Sequence, residues 1–203
     1  MNIEIKISKK PVSYKKAMLL LNKRVDEVKI GKKKELIWIL EHPITYTAGI
    51  SYNDKDILDK SINVIKTNRG GKITLHNPGQ KIVYFVINLN NRKKDIRKFI
   101  RTLENSIIKF LKLYRIRANR DKKNIGIWVK NKKIAAIGLR VSRWIAYHGC
   151  SINITNNLQN YLKIVPCGLS NKNVTSIFSE KKLKPKYFEK NLAKIFVKNI
   201  SNI

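Results

Sequence analysis

Apolar residues recur at three- and four-residue steps along one stretch of the chain: Ile96, Phe99, Ile100, Leu103, Ile107, Phe110, Leu111 and Tyr114, with Lys and Arg between them. That spacing predicts a helix from Lys94 to Tyr114. A second helix is predicted over Pro11 to Val28, where Val12, Ala17, Met18, Leu21, Val25 and Val28 keep helical spacing and a proline stands near the start. A third covers Lys186 to Lys198 through Phe188, Leu192, Ile195 and Phe196, just after Pro185. The other apolar runs are short. Alternation in Met1–Ile7 reads as a first strand, and Glu35–Leu40 as a buried one. Ile62–Lys66 and Lys81–Leu89 follow, the latter rich in β-branched and aromatic residues. Ile125–Val129 and Ile134–Leu139 flank the turn Lys130-Asn131-Lys132, and Trp144–Ile154 continues the sheet. Strands in clusters, with helices early, midway and late, predict an α+β fold with a mixed or antiparallel sheet flanked by helices. No repeat or linker divides the chain, so residues 1–203 are expected to form a single domain.

Composition narrows the function classes. At 203 residues and 43% hydrophobic content the chain is no disordered basic tail. The longest apolar run, Ile82–Ile87, is too short to cross a bilayer, and the N-terminus lacks the apolar core of an export signal. Two cysteines give neither a disulfide framework nor a four-cysteine zinc site. No membrane association and a cytoplasmic location are therefore expected. Lys and Arg number 44 against 13 Asp and Glu, a net charge of +31. The excess is mostly Lys, spread along a chain also rich in Asn and Ile, as an AT-rich coding genome imposes. An acidic protein partner is a second explanation. Nucleic acid is a third, but no helix-turn-helix, ribonucleoprotein motif or zinc finger supports it, so no nucleic-acid partner is expected.

Four stretches break the scaffold pattern. Glu41–Gly49 follows a buried strand. Arg69–Gln80 holds paired glycines and an Asn-Pro-Gly turn, which as a bare pattern is a hairpin. In Lys133-Ile134-Ala135-Ala136-Ile137-Gly138 small residues stand where strands carry large ones, so something is expected to pack against the strand backbone. Pattern alone reads Lys133 as an exposed turn lysine. Tyr147–Asn153, with Cys150 as core or pocket lining, lies shortly after. Finally, Pro166-Cys167-Gly168 puts a cysteine on a forced turn, which suits a nucleophile. His42, His76 and His148 lack the short spacing of ligand pairs, so no metal is expected, whereas a Cys–His dyad stays open.

Taken together and in order, these stretches resemble the lipoyl (octanoyl) transferases. The likeness runs from Leu36 to Ile177: Glu41 to Gly49, Arg69 to Gln80, Gly126 to Gly138, Arg143 to Asn153, Pro166 to Gly168 and Val174 to Ser176. Asn77, Leu75, Ile50 and Cys150 depart from the common family residues. The resemblance implies the fold of lipoate and biotin protein ligases and a catalytic pair, Cys167 as nucleophile and Lys133 as the group that lowers its pKa and serves as base. It implies substrate-binding segments at Arg69, Gly70, Gly71, Lys72, Ile73, Thr74, Leu75 and His76, at Ala136, Ile137 and Gly138, and at Gly149, Cys150 and Ser151. The activity implied moves an octanoyl group from octanoyl-acyl carrier protein to a lysine of lipoyl domains, those of 2-oxoacid dehydrogenases and the glycine cleavage H protein. It proceeds through a cysteine thioester with no cofactor. Backbone N–H groups at Gly138 and near Cys167 are expected to hold the oxyanion. The nearest alternative is an ATP-dependent lipoate ligase on the same fold; a basic nucleic-acid-binding module is a more distant one.

Overall fold

The computed structural model describes residues 3–121, 124–165 and 174–203. Ten strands and four α-helices occur among them: β1 (Ile3–Ile7), α1 (Tyr14–Lys29), β2 (Glu35–Leu40), β3 (Thr45–Ala48), β4 (Val64–Lys66), β5 (Ile73–His76), β6 (Gln80–Asn88), α2 (Ile96–Lys112), β7 (Asn119–Arg120), β8 (Ile127–Val129), β9 (Lys132–Ser142), β10 (Ile145–Asn153), α3 (Ile177–Lys181) and α4 (Glu189–Ser201). Helix limits follow backbone chemistry. The Asp95 carboxylate accepts from the Lys98 N–H at 2.8 Å, and Lys93 and Lys94 have φ of 55° and 52°, so α2 starts after the predicted Lys94. Tyr187 has φ 53°, which delays α4 past the predicted Lys186. Ser13 caps α1 by accepting from the Lys16 N–H.

Seven strands form one mixed sheet in the order β1-β2-β6-β10-β9-β8-β7, parallel only between β1 and β2. Alternation sorts its side chains. On one face Ile37, Ile39, Val83, Phe85 and Ile87 pack against Phe99, Leu103 and Ile107 of α2 and Leu192 and Phe196 of α4. The Phe85 ring meets Phe99 and Phe196 edge-on, at centroid distances of 6.2 and 5.1 Å. Each such buried side chain contributes about 1.5–3 kcal/mol. On the other face Leu36, Trp38, Leu40, Ile82, Tyr84 and Val86 pack against Ala17, Leu21 and Val28 of α1.

A second sheet of three strands, β4-β3-β5, has its own small core of Tyr46, Ile73, Leu75, Tyr161 and Ile164. This corrects the hairpin expected over Arg69–Gln80. β5 pairs with β3 in the small sheet, while β6 pairs with β2 and β10 in the large one. The Asn77–Gly79 turn carries the chain from one sheet to the other. It is held there because the Glu41 carboxylate accepts from the Gly79 N–H at 2.9 Å and the Asn77 amide donates to the Asn157 carbonyl at 2.8 Å.

Candidate active site

α1 covers only part of its face of the large sheet. Between the rest of that face and the small sheet lies a cleft of about 520 Å³. Its floor is made of small residues on β9 and β10: Ala136, Gly138, Gly149 and Ser151. Its roof is Thr74 and His76 of β5 with the Arg69-Gly70-Gly71 loop. The loop is stitched to the free edge of β9, where the Gly70 N–H donates to the Leu139 carbonyl at 3.0 Å. A Cβ on Gly70 would fall 2.8 Å from that carbonyl oxygen, and one on Gly138 would fall 2.9 Å from the Gly70 oxygen. The run of small residues on β9 therefore exists because another backbone crosses it, as expected. The same geometry corrects the oxyanion expectation. Leu139 points its carbonyl outward to the loop, so in an antiparallel ladder Gly138 turns its N–H inward to Gly149 and the sheet uses it.

Lys133 enters the cleft through a β-bulge. Ile127 pairs with Ala135 but Trp128 pairs with Lys133, so Ile134 is an extra residue on β9. Ile134 and Ala135 both turn into the helix-covered core, and Lys133 emerges on the cleft side with Ala136. It is 7% exposed, against the exposed turn lysine that the pattern predicted. Its Nζ donates to the Ile125 carbonyl at 3.1 Å and sits 4.9 Å from the Trp128 ring centre. Gly126, at φ 137°, makes room, because a Cβ there would lie 3.4 Å from that nitrogen and 2.7 Å from the Ala135 oxygen. Among the described residues no carboxylate pairs with this ammonium. Val174 bridges to Lys133, and the Thr175 N–H donates to the Lys133 carbonyl at 2.9 Å. Cys167 lies outside the described residues.

A hydrogen-bonded chain backs the roof. Arg69 Nη2 donates to the Thr47 carbonyl at 2.8 Å and to its Oγ1 at 3.0 Å. The Gln80 amide nitrogen donates to Leu75 O, Asn153 Oδ1 and Tyr161 Oη, so the Gln80 oxygen accepts from His76 Nδ1–H at 2.9 Å. This leaves His76 Nε2 to accept from the Thr47 hydroxyl at 3.4 Å. Burial foremost, then the neighbouring His42 and Arg69, pushes the His76 pKa down to about 3. His148 is held neutral likewise, at about 4, by burial and then by Arg69 and Arg140. It has φ 63°, stacks on Tyr147, and its Nε2 bonds Asn68 Oδ1 at 2.6 Å.

Arg69, Gly70, Gly71, Lys72, Ile73, Thr74, His76, Lys133, Ala136, Ile137, Gly138, Gly149, Cys150 and Ser151 all line this one cleft. Leu75 does not. Alternation along β5 turns it, 0% exposed, into the core of the small sheet, so its expected place in the substrate site is corrected. Cys150 is wall and core together, and burial raises its thiol pKa well above the ordinary range, which leaves it an inert thiol. The sequence reading missed Tyr14, Ile82, Tyr84, Ile96, Ile100, Asn124, Ile125 and Val141. Each reads as ordinary core or loop in the pattern, and only the fold brings them to the cleft, Ile96 and Ile100 from α2 included.

Comparison with known proteins sets this geometry in a class. The fold is shared with a lipoate protein ligase from T. acidophilum solved with bound lipoic acid, at a TM-score of 0.75 and 12% identity over 100% of this chain and 86% of that one. It is shared with lipoate-protein ligase A bound with ATP, at a TM-score of 0.70, 13% identity and coverage of 98% and 85%. Residues 13–197 match the lipoyl protein ligase A/B catalytic domain, and the chain belongs to that family. Relatives in it include the octanoyltransferase of Ehrlichia canis (strain Jake), 43% identical over 180 residues, 86% of this chain and 84% of that one. The octanoyltransferase of Anaplasma phagocytophilum (strain HZ) is 44% identical over 183 residues, with coverage of 87% and 88%. Among the described residues no helix is long and apolar enough to cross a membrane.

Proposed function

We propose that residues 1–203 form one octanoyltransferase domain, working in the cytoplasm. It takes the octanoyl group from the thioester of octanoyl-acyl carrier protein and passes it to the ε-amine of a lysine on lipoyl domains. The acceptors are those of 2-oxoacid dehydrogenases and the glycine cleavage H protein. The octanoyltransferases at 43% and 44% identity support the reaction, and a related archaeal ligase studied with its E2 lipoyl domain supports the acceptor class. The observation that carries the reading is the buried Lys133 ammonium, without a carboxylate among the described residues, in a cleft floored by small residues.

In this scheme Cys167 is the nucleophile. A free thiol has a pKa of about 8.5 and is mostly protonated at neutral pH. The Lys133 ammonium favours its thiolate. The thiolate attacks the carrier thioester, the C–S bond to the carrier breaks, and the Lys133 ammonium gives its proton to the departing sulfur, so the carrier leaves as a thiol and Lys133 is left neutral. Exchange of one thioester for another costs little. The acceptor lysine must lose a proton to attack, and Lys133, neutral at that stage, receives it. The new C–N bond forms as the Cys167–acyl bond breaks, and Cys167 is regenerated. The amide product is more stable than the thioester, which pulls transfer forward. No step calls for a metal or a nucleotide. The basic surface suits acidic carriers and lipoyl domains, which it steers toward the cleft.

The fold neighbours favour one second reading, since lipoate-protein ligase A was solved with ATP bound. Transfer assays with purified octanoyl-acyl carrier protein and a lipoyl domain separate the two. Octanoylated lipoyl domain should form without ATP. Product appearing only when ATP and free octanoate or lipoate are supplied would replace this reading with the ligase.

A further inference from the structure

The cleft lining runs from the Arg69–Lys72 loop and β9, where Ile137 and Leu139 are half-buried, to the core beneath α1. Ile82 and Tyr84 belong to both, packing against α1 on one side and lining the cleft on the other. The small floor gives way to large side chains at this boundary, and the residue that stands on it is Tyr14, the first residue of α1. The Tyr14 ring is 5% exposed and lines the cleft. It lies parallel to His76 at a centroid distance of 6.2 Å and meets the edge of His42 at 5.4 Å.

Directed bonds hold the backbone that carries Tyr14. The Val12 N–H donates to the Glu41 carbonyl at 2.8 Å, the His42 Nδ1–H donates to the Val12 carbonyl, and Ser13 caps the helix that Tyr14 begins. His42 is fixed in turn by the Tyr84 hydroxyl, which donates to its Nε2 at 2.9 Å.

We propose that Tyr14 is the acyl-length ruler of this enzyme: its ring closes the cleft where it meets the core beneath α1 and stops the terminal methyl of an eight-carbon chain. This rests on the reading of the cleft as an octanoyl site. Each methylene placed in or denied an apolar pocket changes discrimination by about tenfold or more, so ring size at position 14 sets the preferred length.

The test measures kcat/KM with hexanoyl-, octanoyl-, decanoyl- and dodecanoyl-acyl carrier protein for the full chain and three variants. Wild type favours octanoyl. Tyr14→Ala raises the decanoyl-to-octanoyl ratio by about tenfold or more, Tyr14→Trp shifts preference toward hexanoyl, and Tyr14→Phe keeps the wild-type order. Thermal shifts of the same proteins with free hexanoate, octanoate, decanoate and dodecanoate report the order without turnover, and cover a variant that folds poorly. Equal loss for every length in Tyr14→Ala, with the ratio unchanged, overturns the ruler while leaving octanoyl transfer intact. A wild type that transfers no acyl group contradicts the functional reading instead, and the thermal shifts then decide the ruler alone.

Discussion

The two faces of the large sheet bury similar strands to different ends. On the face covered by α2 and α4, apolar side chains interdigitate and rings such as Phe85, Phe99 and Phe196 fill the space. On the opposite face α1 stops short, and the small sheet stands off over Gly138, Gly149, Ala136 and Ser151. There the roof is held by directed bonds running from Arg69 through Thr47 and His76 to Gln80 and Asn153. One face provides stability that needs no particular chemistry. The other leaves room and keeps an ammonium in it.

Breaking the comparison at its chemical end should have the largest effect. Lys133→Ala removes the proposed base and is expected to lower kcat by about 10²–10⁴-fold, the usual reach of general base catalysis, with the melting temperature changed little. Single-turnover transfer to a lipoyl domain measures it. On the opposite face Phe196→Ala should do the reverse. It costs about 3–5 kcal/mol of stability, read by denaturant unfolding, while kcat measured well below the melting temperature stays near wild type.

A smaller effect is expected at the loop crossing. Gly138→Ala places a methyl 2.9 Å from the Gly70 oxygen. The loop must shift, which should cost about 1–3 kcal/mol and raise KM for the acyl carrier more than it lowers kcat. The smallest effect concerns pH. His76 has a folded pKa near 3 against an ordinary value of 6.5. As pH falls below about 6.5 the unfolded state gains a proton that the folded state refuses, so stability drops. His42 and His148 are lowered too and act with the same sign. His76→Gln should therefore show a shallower fall in melting temperature between about pH 7 and pH 5 than wild type. An equal or steeper fall would mean that His76 is not held neutral.

What the chain reveals unaided follows from the length of its patterns. α2 is long and regular enough that Phe99, Leu103, Ile107 and Phe110 mark both the helix and its buried face. β3 and β5 are short, and Thr-Tyr-Thr-Ala carries no strong alternation, so of the small sheet only β4, within the predicted Ile62–Lys66, showed in the pattern, and the cleft beneath it did not. Lys133 shows the same limit at one residue. Spacing put it on an exposed turn, because the bulge at Ile134 that turns it inward depends on pairing with β8. The family motif marked it; the period of the strand did not. Tyr14 carried no mark at all, since a single aromatic in a first helical turn looks like any core residue.

The proposed chemistry is tested most directly by intact-mass measurement after mixing the protein with octanoyl-acyl carrier protein in the absence of ATP. The account predicts a gain of one octanoyl group in wild type, lost when a lipoyl domain is added and never formed by Cys167→Ala. A wild type that gains no mass, or a Cys167→Ala variant that gains the same mass, would contradict it.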